Sequence, residues 1–497
     1  MSEHSLISAL APSLLWQSFV ALNEVPRPSK KEEKVIAFML DFAKSLGLEV
    51  DQDAVGNIRV LKPATAGMES LPVVTLQSHL DMVHQKNKET VFDFNTQGIQ
   101  MVLEGDWVKA KGTTLGADNG IGVAAIMALL QATDIPHGPL EALFTVDEET
   151  GMTGAKGLAK NWLSGKYLLN LDTEDDDEIS IGCAGGIDIT VSASFDVVAL
   201  GEDLISLTLK ITGLQGGHSG MDIHKGFGNA NLIANDLLGS FTDKFNVQLH
   251  SIQGGSLRNA IPRESTISFV VPRSQRASLE AFAAVQIQET IKAFAGVEEN
   301  LNILLTAYGT TENMGLSVSD TQSLCKQIKD IHNGVYQWSA TVPDLVETSN
   351  NVARITLSNG VLEIACLCRS AVEVAKMDLA QQIKAGFDPA VYAVTFYGDY
   401  PGWAPNTSSQ LLKTASGLYE SMFQETPRVV ACHAGLECGL LGAHYPAMDM
   451  VSFGPNIRGA HSPDEKVSVV SVQKFWNTQT RTKLLFVILL LLHFHVM

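Results

Sequence analysis

Hydrophobic and polar positions near the N-terminus predict an amphipathic helix. Ser29 is its predicted N-cap, and glutamates follow in the expected first turn. Gly47 suits the end of the helix. Apolar residues recur at helical spacing between these two points, namely Val35, Ile36, Met39, Phe42 and Leu46.

Short apolar runs then alternate with helix-like segments. Strands are predicted at "NIRVL", "LPVVTLQSH", "PLEALFTV" and "KYLLNLD". Helices are predicted at "IGVAAIMALLQA" and "GAKGLAKNWL". This alternation is typical of an α/β sheet with helical layers.

The pattern changes after "GCAGGIDI" and becomes rich in strands. Alternating or apolar runs at "LISLTLKITGL", "NVQLHSIQ" and "STISFVV" predict strands, and "NANLIANDLLGSF" and "SLEAFAAVQIQETIKAFAG" predict helices. The segment "AVYAVTFYGDYPGWAPN" leads back into alternating helix and strand patterns. We therefore predict an inserted domain over residues 188–398 and a discontinuous domain over residues 1–187 and 399–497.

Composition supports more than one domain and narrows the possible partners. The chain has 497 residues, of which 45% are hydrophobic, so it can bury a large core and is too long for one ordinary domain. A net charge of −19 argues against nucleic acid or an anionic membrane as a partner.

Cysteine usage and the two ends of the chain bear on its location. The 6 cysteines include no C-x-x-C pair, which argues against a disulfide scaffold or a cysteine-built zinc site. No signal peptide is predicted at the N-terminus, so we expect a cytoplasmic protein. The apolar run from Leu484 to Leu492 is shorter than the about 20 residues that a membrane-spanning helix needs.

Acidic residues and one histidine fall where predicted strands end. The sheet edge at the carboxyl ends of strands is where open α/β sheets place their sites. Four separate segments supply possible metal ligands there or at a helix start, namely His79 and Asp81, Asp118, Glu148 and Glu149, and Asp172. Their convergence predicts a metal site.

Each of these residues also has an alternative interpretation in which it binds no metal. Asp118 and Asn119 could cap the helix that begins near Ile121. His79 could be an ordinary buried or exposed histidine. Asp172 could belong to a solvated acidic turn, and the two glutamates could form an exposed turn. Four such coincidences at four strand ends are much less probable together than one shared site.

The spacing of these residues suggests how they would act. His79 and Asp81 can share one face of a strand, so Asp81 could accept a hydrogen bond from one ring nitrogen while the other binds metal. Glu148 and Glu149 would diverge on a regular strand, so an irregular end is needed for one to bind metal and the other to act as a base. Carboxylates with few imidazoles suit zinc, manganese or cobalt, and Asp118 is the natural bridge between two ions.

Several motifs resemble the M20 family of di-metal peptidases. They are "SHLDMV", "GTTLGADNGIG", "FTVDEETGMTGA", "LLNLDTED", "GLQGGHSGMDIHKGFGNAN" and "GAHSPDEKV", and the resemblance runs from about residue 5 to about residue 475. It implies an α/β fold in which a catalytic domain with a mixed sheet flanked by helices carries an inserted α+β lid and dimerisation domain.

The resemblance also implies a role for each candidate ligand. One metal would be held by His79 and Asp172, the other by Glu149 and His461, with Asp118 as the bridge. Asp81 would orient His79, and Glu148 would be the general base that takes a proton from water and returns it to the leaving amine. His461 cannot be identified by spacing, and without the family it is a loop histidine. The implied cofactors are two divalent metal ions, with zinc expected and cobalt or manganese as alternatives.

Four further residues are implied to bind substrate. His218 would stabilise the oxyanion, Asn259 and Arg369 would hold the substrate's C-terminal carboxylate, and Glu437 would bind its free amine. Without the family, "GGHSG" is a turn, Arg369 a surface arginine and Glu437 a surface or helix-start acid. A site that holds both ends of its substrate favours dipeptides, and the lid resemblance implies a homodimer.

The implied function is metal-dependent hydrolysis of dipeptides with a free amine, including Xaa-His dipeptides such as carnosine. A tripeptidase, an N-acyl amino acid deacylase and a non-catalytic peptide- or metal-binding protein remain alternatives. The tail after Trp476 departs from the family, which would continue as an amphipathic closing helix, and we hypothesise a shifted reading frame or an artefact there.

Overall fold

The structure of the chain is a computed structural model. The structure describes residues 3–201, 203–308 and 314–476. The prediction about the tail after Trp476 lies outside the described residues.

Helices and strands alternate over the first part of the chain and again near its end. The α-helices are α1 (Glu3–Ser8), α2 (Ser13–Asn23), α3 (Glu33–Ser45), α4 (Ala117–Gln131), α5 (Glu148–Gly151), α6 (Thr153–Lys156), α7 (Ala230–Thr242), α8 (Arg276–Ala293), α9 (Val318–Asp330), α10 (Glu373–Ala385), α11 (Gln410–Phe423), α12 (Glu437–His444) and α13 (Val469–Trp476). The strands are β1 (Glu49–Gln52), β2 (Ile58–Lys62), β3 (Val74–His79), β4 (Met101–Glu104), β5 (Trp107–Ala110), β6 (Leu140–Thr145), β7 (Tyr167–Asn170), β8 (Glu178–Cys183), β9 (Gly185–Ser194), β10 (Val198–Ala199), β11 (Leu204–Thr212), β12 (Gly217–His218), β13 (Gln248–Gly254), β14 (Ala260–Ile261), β15 (Ser265–Pro272), β16 (Asn302–Tyr308), β17 (Met314–Gly315), β18 (Gly334–Trp338), β19 (Val346–Ser358), β20 (Val361–Ser370), β21 (Tyr392–Tyr400), β22 (Arg428–Cys432), β23 (Asp449–Ser452), β24 (Ile457–Arg458) and β25 (Lys466–Ser468).

The chain forms two compact units. Among the described residues, the first unit comprises residues 3–182, 405–431 and 437–476, and the second comprises those within 183–404 and 432–436. The ends of the second unit differ by a few residues from the predicted range 188–398, and a short segment after β22 also belongs to it.

The first unit is built on a mixed sheet with the order β1-β2-β6-β3-β7-β23-β8-β22. Strands β6, β3, β7 and β23 are mutually parallel, whereas β1 and β2 pair in antiparallel fashion. Every residue of β3, β6 and β7 is buried, as expected for parallel strands covered on both faces. The carboxyl ends of β3, β6 and β7 therefore lie at the same edge of the sheet.

Two helix predictions in this unit are wrong in detail. The helix predicted after Ser29 begins at Glu33, because Lys30 has a left-handed backbone with φ 66°. The Ser29 hydroxyl instead donates to the Met82 carbonyl at 3.2 Å. The helix predicted at "GAKGLAKNWL" is limited to Thr153–Lys156. Gly157, with φ −92° and ψ 4°, lies at its C-terminal cap, so the backbone leaves the helical conformation there.

The second unit is built on an antiparallel sheet. Its strands follow the order β16-β11-β15-β13-β19-β20-β9-β21, and β18 pairs with β19. Helix α7 contacts β11, β15 and β19, and α10 contacts β9 and β20. Alternate residues of β9 and β11 are buried, which matches a sheet with one face on a core.

Each unit has its own hydrophobic core. In the first unit, α2 and α4 pack together and α4 lies on β3, with Trp16, Phe19 and Phe144 fully buried. In the second unit, Phe241 and Phe269 pack between the sheet and its helices. Within the part of the chain that the structure describes, no helix is long and apolar enough to cross a membrane.

Candidate metal centre and substrate-binding residues

His79 and Asp81 lie at the carboxyl end of β3 and contact each other. The Nδ1 atom of His79 lies 3.3 Å from Oδ1 of Asp81 and 3.1 Å from the Asp81 backbone oxygen. The Asp81 carboxylate also accepts hydrogen bonds from the backbone N–H groups of Glu148, at 3.0 Å, and Glu149, at 3.3 Å. Asp81 therefore ties the His79 ring to the segment that carries both glutamates.

Glu148 and Glu149 follow an irregular end of β6, as the sequence predicts. The strand ends at Thr145, and Asp147 has a left-handed backbone with φ 53° before helix α5 begins. Both carboxylates can then approach one point: ligand atoms of His79, Glu148 and Glu149 lie within 4.8 Å of one another. Asp147 instead accepts hydrogen bonds from Thr150 and Thr153, which supports the turn.

Asp118 lies between two imidazoles. Its Oδ1 atom is 3.2 Å from Nε2 of His79, and its Oδ2 atom is 3.2 Å from Nε2 of His461. The backbone dihedrals of Asp118 and Asn119 are not helical, although both lie within the bounds of α4. The carboxylate therefore contacts the two histidines and does not act as a simple helix cap.

The ligand atoms form two groups that share Asp118. His79, Asp118 and Asp172 make one group, and Asp118, Glu149 and His461 make the other, each within 4.8 Å. The Oε2 atom of Glu149 is 3.0 Å from Nε2 of His461. Its Oε1 atom is buried and has no hydrogen-bond partner among the described residues. Because a buried carboxylate oxygen without a partner is costly, these residues fit a pair of divalent cations.

The electrostatics of the centre favour positive charge. Hydrogen bonds to Asp118 and Glu149 raise the pKa of His461 to about 11. Burial opposes a charge on His79, but Asp172, Asp118 and Asp81 outweigh it and raise its pKa well above the ordinary value. Burial raises the pKa of Glu148 well above its ordinary value, and Asp172, Glu437 and Glu149 add to this rise. The carboxylates therefore attract a cation, and divalent metals would satisfy them.

A buried polar network covers the same face of the sheet as His79. The Oε2 atom of Glu437 accepts hydrogen bonds from Gln77 Nε2 and from Thr145 Oγ1, both at 2.6 Å. Asn170 donates in turn to Gln77. Glu437 is fully buried, and its Oε1 atom has no hydrogen-bond partner among the described residues. Burial raises the pKa of Glu437 to about 8.

Three predicted substrate-binding residues of the second unit meet around Ser219. His218 pairs with Ala260 between β12 and β14, and the Asn259 carbonyl accepts from the Ser219 N–H at 2.8 Å. The Nε atom of Arg369 donates to Ser219 Oγ at 3.3 Å. Arg369 is buried, and within the described ranges it forms no ion pair, so it is suited to an anionic ligand.

His218 is held in one tautomer. Its Nδ1 atom accepts from the N–H groups of Gly220, at 3.2 Å, and Met221, at 3.0 Å. Burial, with Arg369 nearby, lowers its pKa to about 4. The ring is therefore neutral with the proton on Nε2, which makes Nε2 a hydrogen-bond donor.

Sequence reasoning missed several buried polar residues near these sites. Gln77 and Thr145 lie within apolar strands, and that placement is a signal that could have found them. His433 is buried in the second unit, where its Nε2 atom lies 2.8 Å from Ser349 Oγ, and Ser349 pairs with Arg369 across β19 and β20. No spacing rule links His433 to these residues.

The sequence and the fold match a known class of enzyme. The profile of peptidase family M20/M25/M40 matches residues 75–482, so the chain belongs to this family. The chain is 42% identical over 483 residues to the cytosol non-specific dipeptidase of Escherichia coli, a match that covers 97% of this chain and 98% of the relative.

Solved structures agree with this membership. The crystal structure of aminoacylhistidine dipeptidase from Vibrio alginolyticus is 39% identical, with a TM-score of 0.90 and coverage of 98% of each chain. The aminopeptidase PepT from Bacillus cereus is 16% identical, with a TM-score of 0.56 over 97% of this chain and 98% of its own, and shows a similar fold. The mixed α/β fold predicted from the sequence is confirmed.

Proposed function

We propose that the protein hydrolyses dipeptides in a metal-dependent reaction and requires a free N-terminal amine, with Xaa-His dipeptides such as carnosine among its substrates. The observation that carries this proposal is the position of Asp118, whose two oxygens each lie 3.2 Å from a different histidine. Family membership and the names of the Escherichia coli and Vibrio alginolyticus relatives support peptide hydrolysis and the dipeptide class.

The proposed ligands form two sets with one shared member. His79 and Asp172 would hold one ion, Glu149 and His461 the other, and Asp118 would bridge them, which agrees with the two groups of close ligand atoms. Zinc suits this set of imidazoles and carboxylates, with cobalt or manganese as alternatives. When bound, such ions supply Lewis-acid polarisation of the peptide carbonyl and acidify water.

Glu148 is the proposed general base. It lies beside Glu149 and shares a close group with His79, yet it belongs to neither of the two groups that contain Asp118. Its raised pKa suits a group that takes a proton from water and passes it to the leaving amine. Asp81 would keep the His79 ring oriented and hold the Glu148 backbone, through contacts of 3.3 Å and 3.0 Å.

Glu437 is the proposed partner of the substrate's free amine. Its Oε2 atom is fixed by Gln77 and Thr145, while its Oε1 atom is buried without a partner among the described residues. A buried carboxylate of this kind gains a charge-assisted hydrogen bond from an ammonium group, whereas the single neutral N–H of an acylated amine brings no positive charge. This argument favours a dipeptidase over an N-acyl amino acid deacylase.

The second unit carries three further residues with proposed roles in substrate binding. His218 has its Nε2 proton available as a donor to a developing oxyanion. Arg369, a buried cation without an acidic partner in the described residues, would take the C-terminal carboxylate together with Asn259, and both residues contact Ser219. A homodimer and a cytoplasmic location remain predictions, and the cytosolic name of the Escherichia coli relative supports the location.

The test is a substrate panel measured before chelation, after chelation and after metal is restored. The panel contains a Xaa-His dipeptide, its N-acetyl and C-terminal amide forms, and the tripeptide extended by one residue. We expect hydrolysis of the free dipeptide alone, its loss on chelation and its return with added zinc, cobalt or manganese. Undiminished hydrolysis by metal-free protein would contradict metal dependence, and preferential cleavage of the N-acetyl form would favour a deacylase.

A further inference from the structure

A buried carboxylate that is not among the proposed metal ligands is hydrogen-bonded to the backbone segment that carries Asp118. Glu465 is 2% exposed and accepts four backbone hydrogen bonds from one short segment. Its Oε2 atom accepts from Leu115 at 2.7 Å and from Gly116 at 2.9 Å, and its Oε1 atom accepts from Ala117 at 2.7 Å and from Asp118 at 3.2 Å.

These hydrogen bonds connect two ligand segments. Glu465 follows His461 in the same connection between β24 and β25, and its carboxylate holds the N-terminal end of α4, where Asp118 lies. A negative group at a helix N-terminus is stabilised by free N–H groups and by the helix dipole. One carboxylate therefore fixes the backbone of the shared ligand and also ties it to the segment that carries a second ligand.

Arg27 holds the carbonyl side of the same segment. It is 1% exposed and donates to the Gly116 carbonyl at 2.6 Å. It also donates to the carbonyls of Leu80, at 3.1 Å, and Asp81, at 3.2 Å. A Cβ atom on Gly116 would lie 2.5 Å from the Arg27 guanidinium, and its φ of 70° also favours glycine there. The Arg27 guanidinium therefore links the segment that carries Asp118 to the segment that carries His79.

We propose that Glu465, assisted by Arg27, is a positioning residue that sets the orientation of Asp118 for the binding of two metal ions. This inference rests on the proposed role of Asp118 as the shared ligand. A shared carboxylate must present one oxygen to each metal ion. A small rotation of its backbone would therefore weaken the binding of both ions together. Groups that support metal ligands in this way commonly change metal affinity by about 10–100-fold when they are replaced.

The test compares E465Q with D464N in the full-length protein. The E465Q side chain has the same shape, but its NH₂ group cannot accept hydrogen bonds, so two of the four N–H groups lose their acceptor. Asp464 is an exposed neighbour, and D464N makes the same change of charge without touching α4. Zinc affinity is measured by competition with a chelator, and the cobalt-loaded protein is examined by its visible absorption spectrum.

We expect E465Q to bind zinc about 10–100-fold more weakly than the wild type and to show an altered cobalt spectrum, whereas D464N keeps both. An E465Q protein with wild-type affinity and spectrum would overturn the inference, even if it melts at a lower temperature. If E465Q does not fold, E465D keeps the charge but is one methylene shorter, and we expect weaker zinc binding from it too. Unchanged affinity in folded E465D would then overturn the inference.

These measurements need no peptide, so they separate the inference from the proposed function. A wild-type protein that binds zinc and hydrolyses no dipeptide would contradict the proposed function and leave the E465Q comparison valid. A wild-type protein that binds no metal would contradict both.

Discussion

The Oε2 atom of Glu149 lies 3.0 Å from Nε2 of His461. Glu149 lies in the short helix α5 that follows the buried strand β6, and His461 lies in the connection between β24 and β25. A carboxylate oxygen and an imidazole nitrogen are both zinc ligands by chemical type, so we assign this pair to one half of the proposed two-metal centre.

Replacing His461 should remove one metal while the other stays bound. We expect H461Q to lose about half of the bound zinc, since His79 and Asp172 retain the first ion, and to lose most of its turnover. Elemental analysis after dialysis measures this, with H444Q at the end of α12 as the control. An H461Q protein with the full zinc content would contradict the assignment.

Thr145 should influence selectivity for a free amine. T145V keeps the shape of the side chain but removes one of the two donors to Glu437 Oε2. A hydrogen bond to a charged group contributes about 1.5 kcal/mol or more, so we expect KM for free dipeptides to rise roughly tenfold, with kcat changed less.

The matched control for T145V is T75V. Thr75 is also buried on the same face of the sheet, but its hydroxyl donates to Glu141 at 2.7 Å. An equal rise of KM in both variants would show a general loss of packing and would count against the role of Glu437 in amine binding.

Arg369 should govern recognition of the substrate's carboxylate. R369K keeps the charge but loses the planar fork that pairs with a carboxylate and contacts Ser219 and Tyr400. We expect kcat/KM for dipeptides to fall at least roughly tenfold, with a much smaller change for dipeptide amides. Equal losses for both substrates would contradict carboxylate binding by Arg369.

His433 should make the protein less stable in mild acid. Burial, with Arg369, His218 and His224 nearby, lowers its pKa to about 3. The unfolded chain binds a proton at this residue as pH falls through about 6.5, whereas the folded protein does not, so stability is lost below that pH. Between pH 7.5 and pH 5.5, this linkage lowers the free energy of unfolding by about 1.4 kcal/mol.

Unfolding of metal-free protein at the two pH values tests this linkage. From pH 7.5 to pH 5.5, the free energy of unfolding should fall by about 1.4 kcal/mol more in the wild type than in H433Q. H84Q, which replaces an exposed histidine, should behave like the wild type. A wild-type loss no larger than that of H433Q would mean that His433 is not buried in its neutral form.

The central strands were predictable because their apolar runs are long and end at polar, glycine or proline residues. The runs around β3, β6 and β7 lie within a residue or a few of the observed strands. The end of the helix near Gly47 was also correct, but its start was not, because Lys30 has a left-handed backbone and Ser29 forms a hydrogen bond with the distant Met82 carbonyl. Local capping rules cannot anticipate a partner that folding brings from a distant segment.

The candidate centre was predictable only in part for the same reason. His79, Asp118 and Glu149 were apparent from strand and helix ends, and Asp81 followed from its spacing to His79. The position of His461 needed family resemblance, since nothing local distinguishes it from a loop histidine. Glu465 and Arg27 act through backbone groups of other segments, and sequence spacing does not reveal such contacts.

The most direct test of the central claim compares E148Q with E149Q for both zinc content and dipeptide turnover. E148Q should retain the zinc of the wild type while kcat falls by about 10²–10⁴-fold, because only the proton carrier is lost. E149Q should lose zinc together with activity. If E148Q turns dipeptides over at the wild-type rate, or if it loses zinc as E149Q does, the two adjacent glutamates do not have the separate roles that the mechanism requires.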